Sequence, residues 1–162
     1  MTNLIWSTIY THDGELFESS LTLDTFEKFT KASRKKIFDV FTNYGAYQNW
    51  IPRHFPSVRI ISVRPHATLA EEHRIIAGSE FVVMAKHVVK DSLIHETFFV
   101  GGDAKGSHIT EKFDQISTGT LITVTIDFKP KLSMKLSGLV GKPKYLKDFE
   151  NIVDEFIKIA EI

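Results

Sequence analysis

The chain has 162 residues, 43% of them hydrophobic, and its 20 basic and 20 acidic side chains give a formal net charge of zero. This size suits one domain with its own core, and the balanced charge argues against nucleic-acid binding, which needs a broad basic field. The sequence has no cysteine, which excludes disulfides, thiolate catalysis and cysteine zinc sites.

The N-terminal stretch MTNLIWSTIYTHDGE lacks the basic start and apolar core of a signal peptide, and no apolar run reaches the roughly 20 residues of a membrane span. We therefore expect a cytoplasmic protein. Asp13-Gly14 lies between IWSTIYT and ELFES, and this dipeptide favours a two-residue hairpin turn. Residues 1–20 are thus predicted to be an N-terminal extension with an extra hairpin, and 21–162 the main domain.

The main domain is predicted to begin with a strand over 21–30, where Leu21, Leu23 and Thr25 alternate with other residues. Ser33 is placed to cap a helix. The following SRKKIFDVFTN has an apolar face at helical spacing, formed by Ile37, Phe38 and Phe41.

A second short helix is predicted from YGAYQNWIP, since Tyr44, Tyr47 and Trp50 keep helical spacing until Pro52 ends it. From Ser57 onward the apolar period becomes two, and turn residues divide the region into antiparallel strands. The predicted strands are 57–63, 68–77, 80–90, 93–100, 107–116 and 120–129.

The last strand, GTLITVTIDFK, has one apolar and one polar face. A long helix follows, with an apolar stripe made of Tyr145, Phe149, Ile152, Val153, Phe156, Ile157 and Ala160. Such a helix needs an apolar surface, and the inner face of the sheet supplies one. The predicted fold class is therefore α+β, with a curved antiparallel sheet of about seven strands around a long C-terminal helix.

The element order resembles the START and polyketide-cyclase superfamily (SRPBCC), whose helix-grip fold is shared with the birch-pollen-allergen family. FEKFTKASRKKIFDVFTNYGAYQNWIP is similar to the opening strand and two helices of that family. LITVTIDFKPKLSMKLSGLVGKPKYLKDFENIVDEF is similar to its last strand, junction and C-terminal helix, with some likeness to the coenzyme Q-binding branch. The resemblance covers about 21–162 and consists of apolar spacing, without a catalytic signature.

The resemblance implies a cavity between the sheet and the long helix that holds a lipid, isoprenoid quinone or aromatic metabolite. The chain's thirteen phenylalanines suit either lining or filling such a space. The residues expected to line it are Tyr44, Tyr47, Trp50, Phe81, Phe113, Val124, Ile126, Phe128, Leu136, Leu139, Val140, Tyr145 and Phe149. For Tyr44, Tyr47 and Trp50 the alternative is that they only anchor the second helix to the sheet.

Acid–base chemistry needs a polar group in a dry, concave place. In SHITEKFDQI the alternation that turns Ile109 and Phe113 inward also turns Glu111 inward, and His87 shares its strand face with apolar residues. Both are candidate catalytic residues. The structural alternatives are an outward Glu111 after a bulge, an inward Glu111 paired with a lysine, and a core histidine at 87.

A metal site and a tightly bound cofactor are not predicted. None of the seven histidines forms an i, i+4 helical pair or an H-x-H strand pair. The tightest combinations are Glu71-Glu72-His73 and the strand neighbours His87, His95 and Glu96.

The stretch KLSGLVGKPKYL combines helical spacing with Gly138, Gly141 and Pro143. We interpret it as a short amphipathic turn over 132–140, then a hinge, with Pro143 at the first position of the long helix. The hinge is a candidate ligand portal, and a rigid kink is the alternative. Six lysines and no acid occur from Lys129 to Lys147, which gives either a solvated face or a rim for transient contact with an anionic membrane.

Three functions follow from these features. The first is binding or transport of a small hydrophobic ligand. The second is a metal-free cyclase or dehydratase that uses the same cavity, with Glu111 or His87 as the acid–base group. The third is a protein-interaction module that docks a chaperone or ribosome.

Overall fold

The order of elements is visible in the computed structural model, which describes residues 4–10, 16–131 and 142–162 and places side chains for 23–131 and 144–162. The strands are β1 (Leu4–Tyr10), β2 (Leu16–Thr22), β3 (Asp24–Thr30), β4 (Ser57–Arg64), β5 (Ala67–Ile76), β6 (Ser79–Lys90), β7 (Ile94–Gly102), β8 (His108–Ile116) and β9 (Gly119–Asp127). The helices are α1 (Arg34–Phe41), α2 (Tyr47–Trp50), preceded by a 3-10 turn (Tyr44–Ala46), and α3 (Lys142–Ala160).

The main sheet is a seven-stranded antiparallel sheet in the order β3-β9-β8-β7-β6-β5-β4. The six predicted strands from 57 to 129 are confirmed, each within two residues at either end. The α+β helix-grip prediction is confirmed as well. β1 and β2 pair antiparallel as a separate two-stranded sheet, and the division into an extension and a main domain stays a prediction.

Two boundaries differ from those predicted. The strand expected over 21–30 is divided at Leu23, because Leu21 and Thr22 pair with β1 and only Asp24–Thr30 pairs with β9. The long helix begins at Lys142, so Pro143 is its second residue. The predicted turn and hinge over 132–140, with Leu136, Leu139 and Val140, lie outside the described residues.

The capping prediction for α1 is confirmed, since the Ser33 hydroxyl accepts a hydrogen bond of 3.3 Å from the Lys36 N–H. This satisfies a backbone donor that the first helical turn leaves unpaired. The apolar face of α1 is buried, including Ile37, Phe38 and Phe41.

α3 covers the inner face of the sheet with its apolar stripe. Phe149, Ile152, Val153, Phe156 and Ala160 are buried there, while Tyr145 and Ile157 are half-buried. None of the described helices has both the length and the apolar character that crossing a membrane requires.

Polar contacts fix α3 along its length. Near its N-terminus the Tyr145 hydroxyl donates to Asp24 at 2.7 Å, and the Asp148 carboxylate accepts from the Ala77 N–H at 2.6 Å. Ala77 has a φ of 52° in the β5–β6 turn, a left-handed conformation that a non-glycine residue adopts only with local support. Near the C-terminus the Glu161 carboxylate accepts from the Thr30 hydroxyl at 2.9 Å.

Candidate functional site

Six polar side chains face inward from four adjacent central strands and form what we call the polar belt. Its members are Glu72 and Arg74 on β5, His87 on β6, His95 and Thr97 on β7, and Glu111 on β8. All six are buried. Charged residues are almost never buried unless they are paired.

Glu72 and Arg74 form an ion pair at one end of the belt. The Arg74 Nε donates to Glu72 Oε2 at 2.7 Å, and a second guanidinium nitrogen lies 2.7 Å from the same oxygen. The guanidinium also lies over the rings of Phe55 and Phe99, 4.6 and 4.9 Å from their centroids. Ion pairing and cation–π contacts together hold this cation in the core.

The two buried histidines connect the ends of the belt. His87 Nε2 lies 2.7 Å from Glu72 Oε1, and His87 Nδ1 lies 3.2 Å from His95 Nε2. Thr97 Oγ1 is 3.1 Å from the same Nδ1. Register explains these contacts, since His87 is directly opposite Thr97 and diagonal to His95 across the β6–β7 pair.

Glu111 ends the chain of contacts. It is directly opposite His95 in the β7–β8 pair, and its Oε2 lies 2.8 Å from His95 Nδ1. The side chain is therefore inward, as the alternation predicts, and its partner is a histidine instead of a lysine. A carboxylate–imidazole pair of this kind can accept a proton from a bound molecule or return one to it.

Tyr44 covers the two histidines from the helical layer, and Tyr47 packs beside it. The Tyr44 ring stacks on the His87 ring with centroids 3.9 Å apart, and Tyr47 donates its hydroxyl to the backbone carbonyl of Phe41. Burial, with the nearby charges of Glu111 and Glu72, raises the pKa of Tyr44 above its usual value of 10.0. Tyr44 is thus a neutral ring stacked on His87.

Electrostatics keeps Glu72 ionised. Burial alone would raise its pKa, but the charge of Arg74 and the hydrogen bonds from Arg74 and His87 outweigh that effect and lower it to about 2. Burial lowers the pKa of His87 from 6.5, against the opposing effect of Glu72. The Glu72–Arg74 pair is therefore a fixed ion pair, beside which His87 tends to be neutral.

A cavity of about 30 Å³ lies between the belt and α3. That is room for about one water molecule and far below the roughly 300–1,000 Å³ of typical ligand pockets. The lining residues are Phe41, Tyr47, Phe55, Arg74, His87, His95, Thr97, Ile109, Glu111, Val124, Phe149, Ile152, Val153 and Phe156. In this conformation the cavity is too small for anything larger than a water molecule.

A second, open cleft lies between the end of α1 and the β4–β5 turn. Its volume is about 230 Å³, and His87, Tyr44 and Thr68 are among its lining residues. His87 therefore borders both the inner cavity and this outer cleft.

The described residues contain no group of three or more histidine and acidic side chains arranged to hold a metal ion. Glu96 is turned to the other face of the sheet, where it pairs with Lys90 at 2.6 Å and with His108 at 3.2 Å. It is therefore separated from His87 and His95.

Comparison with solved structures shows the same architecture in proteins of low sequence identity. The Zhui aromatase/cyclase from Streptomyces sp. R1128 superimposes with a TM-score of 0.72 at 10% identity, covering 86% of this chain and 93% of that one. A START superfamily protein from Mycobacterium smegmatis gives 0.64 at 19% identity, covering 85% and 92%. Ginseng major latex-like protein 151 from Panax ginseng gives 0.67 at 15%, covering 86% and 97%.

The chain has the START-type helix-grip fold. No protein-family model and no curated protein matches its sequence. Since the structural likenesses lie below 20% identity, they establish the helix-grip fold and leave the activity to the residues of the site.

Within the helix-grip fold the predicted site residues fall into separate groups. Glu111, His87, Tyr47, Val124 and Phe149 line the inner cavity. Phe81, Phe113 and Ile126 are packed in the core, and Phe128 packs on Tyr145 with ring centroids 4.9 Å apart. Tyr44 lines the outer cleft, and Trp50 is partly buried against the core.

Sequence reasoning missed Arg74 and Thr97 and treated Glu72 and His95 only as weak metal ligands. A usable signal was present in β5, where Ala70, Glu72, Arg74 and Ile76 share the inner face. Once Ala70 and Ile76 are taken as core, the alternation turns Glu72 and Arg74 inward too.

Proposed function

We propose that the protein binds a small amphipathic aromatic molecule between the sheet and α3, with the polar end of the ligand on the belt. The observation that carries this proposal is the burial of Glu72, Arg74, His87, His95 and Glu111 together. A buried ion pair is often no more stable than well-packed apolar residues of similar volume. A cluster of this kind therefore suggests selection for a site more than for the fold.

The shape of the site supports the same proposal. The walls contributed by α3 are apolar, namely Phe149, Ile152, Val153 and Phe156, and the polar groups converge on one side. Ligand pockets commonly combine a mostly apolar lining with a few polar groups that orient the ligand. The helix-grip fold is shared with START and major latex-like proteins, in keeping with this role.

Because the cavity is only about 30 Å³, binding requires it to expand. The N-terminal half of α3 is held over the cavity by the Tyr145–Asp24 and Asp148–Ala77 hydrogen bonds. We expect these contacts to break when ligand enters, since both join α3 to the sheet beside Phe149.

Binding is tested with 2-naphthol, a probe that has an aromatic body and one hydroxyl. Glu111→Gln should weaken binding about tenfold or more, because a hydrogen bond to a charged group is lost. Val124→Phe should abolish binding by filling the cavity opposite Glu111. Glu96→Gln, on the outer face of the same sheet, is the matched control and should bind as the wild type does.

Calorimetric titration with parallel thermal unfolding separates loss of binding from loss of folding. Absence of 2-naphthol binding to the wild type at millimolar concentration would contradict the proposal. Equal affinity of wild type, Glu111→Gln and Val124→Phe would contradict it too, because the probe would then occupy another place.

A second candidate function is acid–base catalysis on the bound molecule, and the 2.8 Å contact between His95 and Glu111 favours it. Both groups line the cavity, as a general acid–base pair must. The structural likeness to an aromatase/cyclase is compatible with such chemistry.

Catalysis is tested by deuterium exchange at the enolisable carbon of 2-tetralone in D₂O. The wild type should accelerate exchange, and Glu111→Gln should reduce the acceleration by about 10²–10⁴-fold, the usual contribution of a general base. Glu96→Gln should leave it unchanged. Exchange at the uncatalysed rate in the wild type would remove this candidate and leave the binding proposal standing.

A further inference from the structure

We infer that Glu72, His87, His95 and Glu111 form a proton relay that holds one shared proton between the two imidazoles at neutral pH. The relay is a property of the free protein and is tested without any ligand. Its use in catalysis rests on the proposed function.

The first step is a count of hydrogens along the chain. Three contacts join the four side chains: Glu72 to His87 at 2.7 Å, His87 to His95 at 3.2 Å and His95 to Glu111 at 2.8 Å. Each contact needs one hydrogen. An ionised carboxylate supplies none and a neutral imidazole supplies one, so two neutral histidines satisfy only two of the three contacts, and the two carboxylates, as the stronger acceptors, take both hydrogens.

The middle contact would then bring two nitrogen lone pairs together at 3.2 Å in a buried place. A third proton removes this conflict, because His95 Nε2–H can donate to His87 Nδ1 while both outer hydrogen bonds remain. Thr97 offers a partial alternative, since its hydroxyl lies 3.1 Å from His87 Nδ1. A hydrogen bond from the Thr97 hydroxyl would satisfy His87 Nδ1, but the lone pair of His95 Nε2 would still face His87 Nδ1 without a hydrogen.

The second step is the charge balance. Arg74 carries one positive charge, and Glu72 and Glu111 carry one negative charge each, so the belt has a net charge of −1 without the third proton and zero with it. The remaining titratable groups that line the inner cavity or cover the histidines are Tyr44 and Tyr47, and burial raises the pKa of each. The residues that α3 and β9 contribute to the cavity lining are apolar, so neutrality favours the third proton.

The third step is the position of the proton. When the shared proton lies on His95 Nε2, His95 is a cation 3.2 Å from His87 and in contact with Glu111 at 2.8 Å. Transfer of the Nδ1 proton from His95 to Glu111 Oε2 leaves both groups neutral and conserves the total charge. Glu111 can then donate that proton to a bound molecule, and the chain regains one proton from water.

Proton return has a structural route. His87 borders the outer cleft of about 230 Å³ as well as the inner cavity. The outer cleft therefore gives solvent a path to the His87 ring, the second member of the relay, without a movement of α3.

The test is nitrogen-15 NMR of protein with labelled histidines at pH 7. The relay predicts that His95 Nε2 and His87 Nδ1 share a proton, so neither gives the full signal of an unprotonated imidazole nitrogen. Two such unprotonated signals, one from each ring, would overturn the inference. His108, which contacts Glu96 on the outer face, is the reference histidine, because it lies outside the belt.

Two variants keep the result decisive. Thr97→Val removes the alternative donor and should leave the shared proton in place; a shared proton that appears only in this variant would assign the wild-type contact to the threonine. His87→Phe should leave His95 Nε2 with an unprotonated signal and shift the pH profile of 2-tetralone exchange. A shared proton without 2-tetralone exchange would support the relay and remove only the catalytic candidate.

Discussion

Two parts of the same core are built on opposite principles. Beside α1 and α3, the rings of Phe38, Phe41, Phe113 and Phe156 meet edge-on, with centroids 4.8 to 5.4 Å apart. A few residues away the polar belt buries two carboxylates, a guanidinium and two imidazoles. Aromatic packing accounts for the stability of the fold, whereas the belt costs desolvation. The difference is the reason we propose a ligand site at the belt and assign folding to the aromatic part.

The aromatic part should give the largest loss of stability. Phe113→Ala should lower the free energy of unfolding by about 3–5 kcal/mol, because it removes a fully buried ring and leaves a cavity. Phe29→Ala is the matched control, since Phe29 is 45% exposed on an edge strand, and surface changes usually stay within about 0.5 kcal/mol. Urea unfolding measures both. Equal losses would contradict the assignment of the aromatic core.

The belt should respond differently to single and double substitution. Arg74→Met should cost about 3 kcal/mol or more, because it leaves Glu72 charged and without its cation. Glu72→Leu combined with Arg74→Met should recover part of that loss, because no unpaired charge stays buried, although His87 Nε2 loses its acceptor. A double variant as unstable as the single one in urea unfolding would show that the belt is needed for the fold.

Acid should weaken the belt before it weakens the aromatic core. The pKa of Glu72 is lowered to about 2, so its contribution is present above its unfolded value of 4.5 and is lost as the pH falls towards 2. The pKa of His87 is also lowered from 6.5. As the pH falls below 6.5, His87 is protonated in the unfolded state before it is protonated in the folded state, so the free energy of unfolding falls there too.

The measurement is the free energy of unfolding between pH 7 and 2.5. The Glu72→Leu/Arg74→Met variant should show a shallower decline than the wild type, because the carboxylate at 72 is gone. If the free energy of unfolding falls equally steeply with pH in the two proteins, the pH dependence does not come from Glu72.

The smallest expected loss of stability is for Tyr47, which lies between the aromatic part and the polar belt. Tyr47 packs on Phe55 and Phe156 with centroids 4.8 and 4.9 Å apart and donates to the Phe41 carbonyl. Tyr47→Phe keeps the ring and removes the donor, so it should cost about 1 kcal/mol in urea unfolding. The substitution removes only the hydroxyl. A loss as large as that of Phe113→Ala would therefore show that the hydroxyl belongs to the polar network of the belt and that Tyr47 is more than an aromatic packing residue.

The fold was predictable because its signals are local. Ser33 caps α1, and Ile122, Val124 and Ile126 alternate along β9; such patterns of capping and periodicity are visible in one sequence. Glu111 was predictable for the same reason, since it shares an alternation with apolar neighbours.

The rest of the site was hidden by its own chemistry. On β5 the charged Glu72 and Arg74 are buried while Leu69 and Ile75 are only half-buried. The usual rule that the apolar face of a strand points to the core therefore predicts the wrong face for these residues. The His87–His95 contact depends on the β6–β7 register, which shifts between Met84 and Ala85. The cavity volume depends on side-chain packing, which no periodicity reports.

The central claim is that the belt serves a ligand and not the fold. The most direct measurement is calorimetric titration of 2-naphthol into the Glu72→Leu/Arg74→Met variant and the wild type at matched pH. We predict that the variant stays folded and binds the probe about tenfold or more weakly, as expected for loss of a charge-assisted site. Unchanged affinity in a folded variant would contradict the claim.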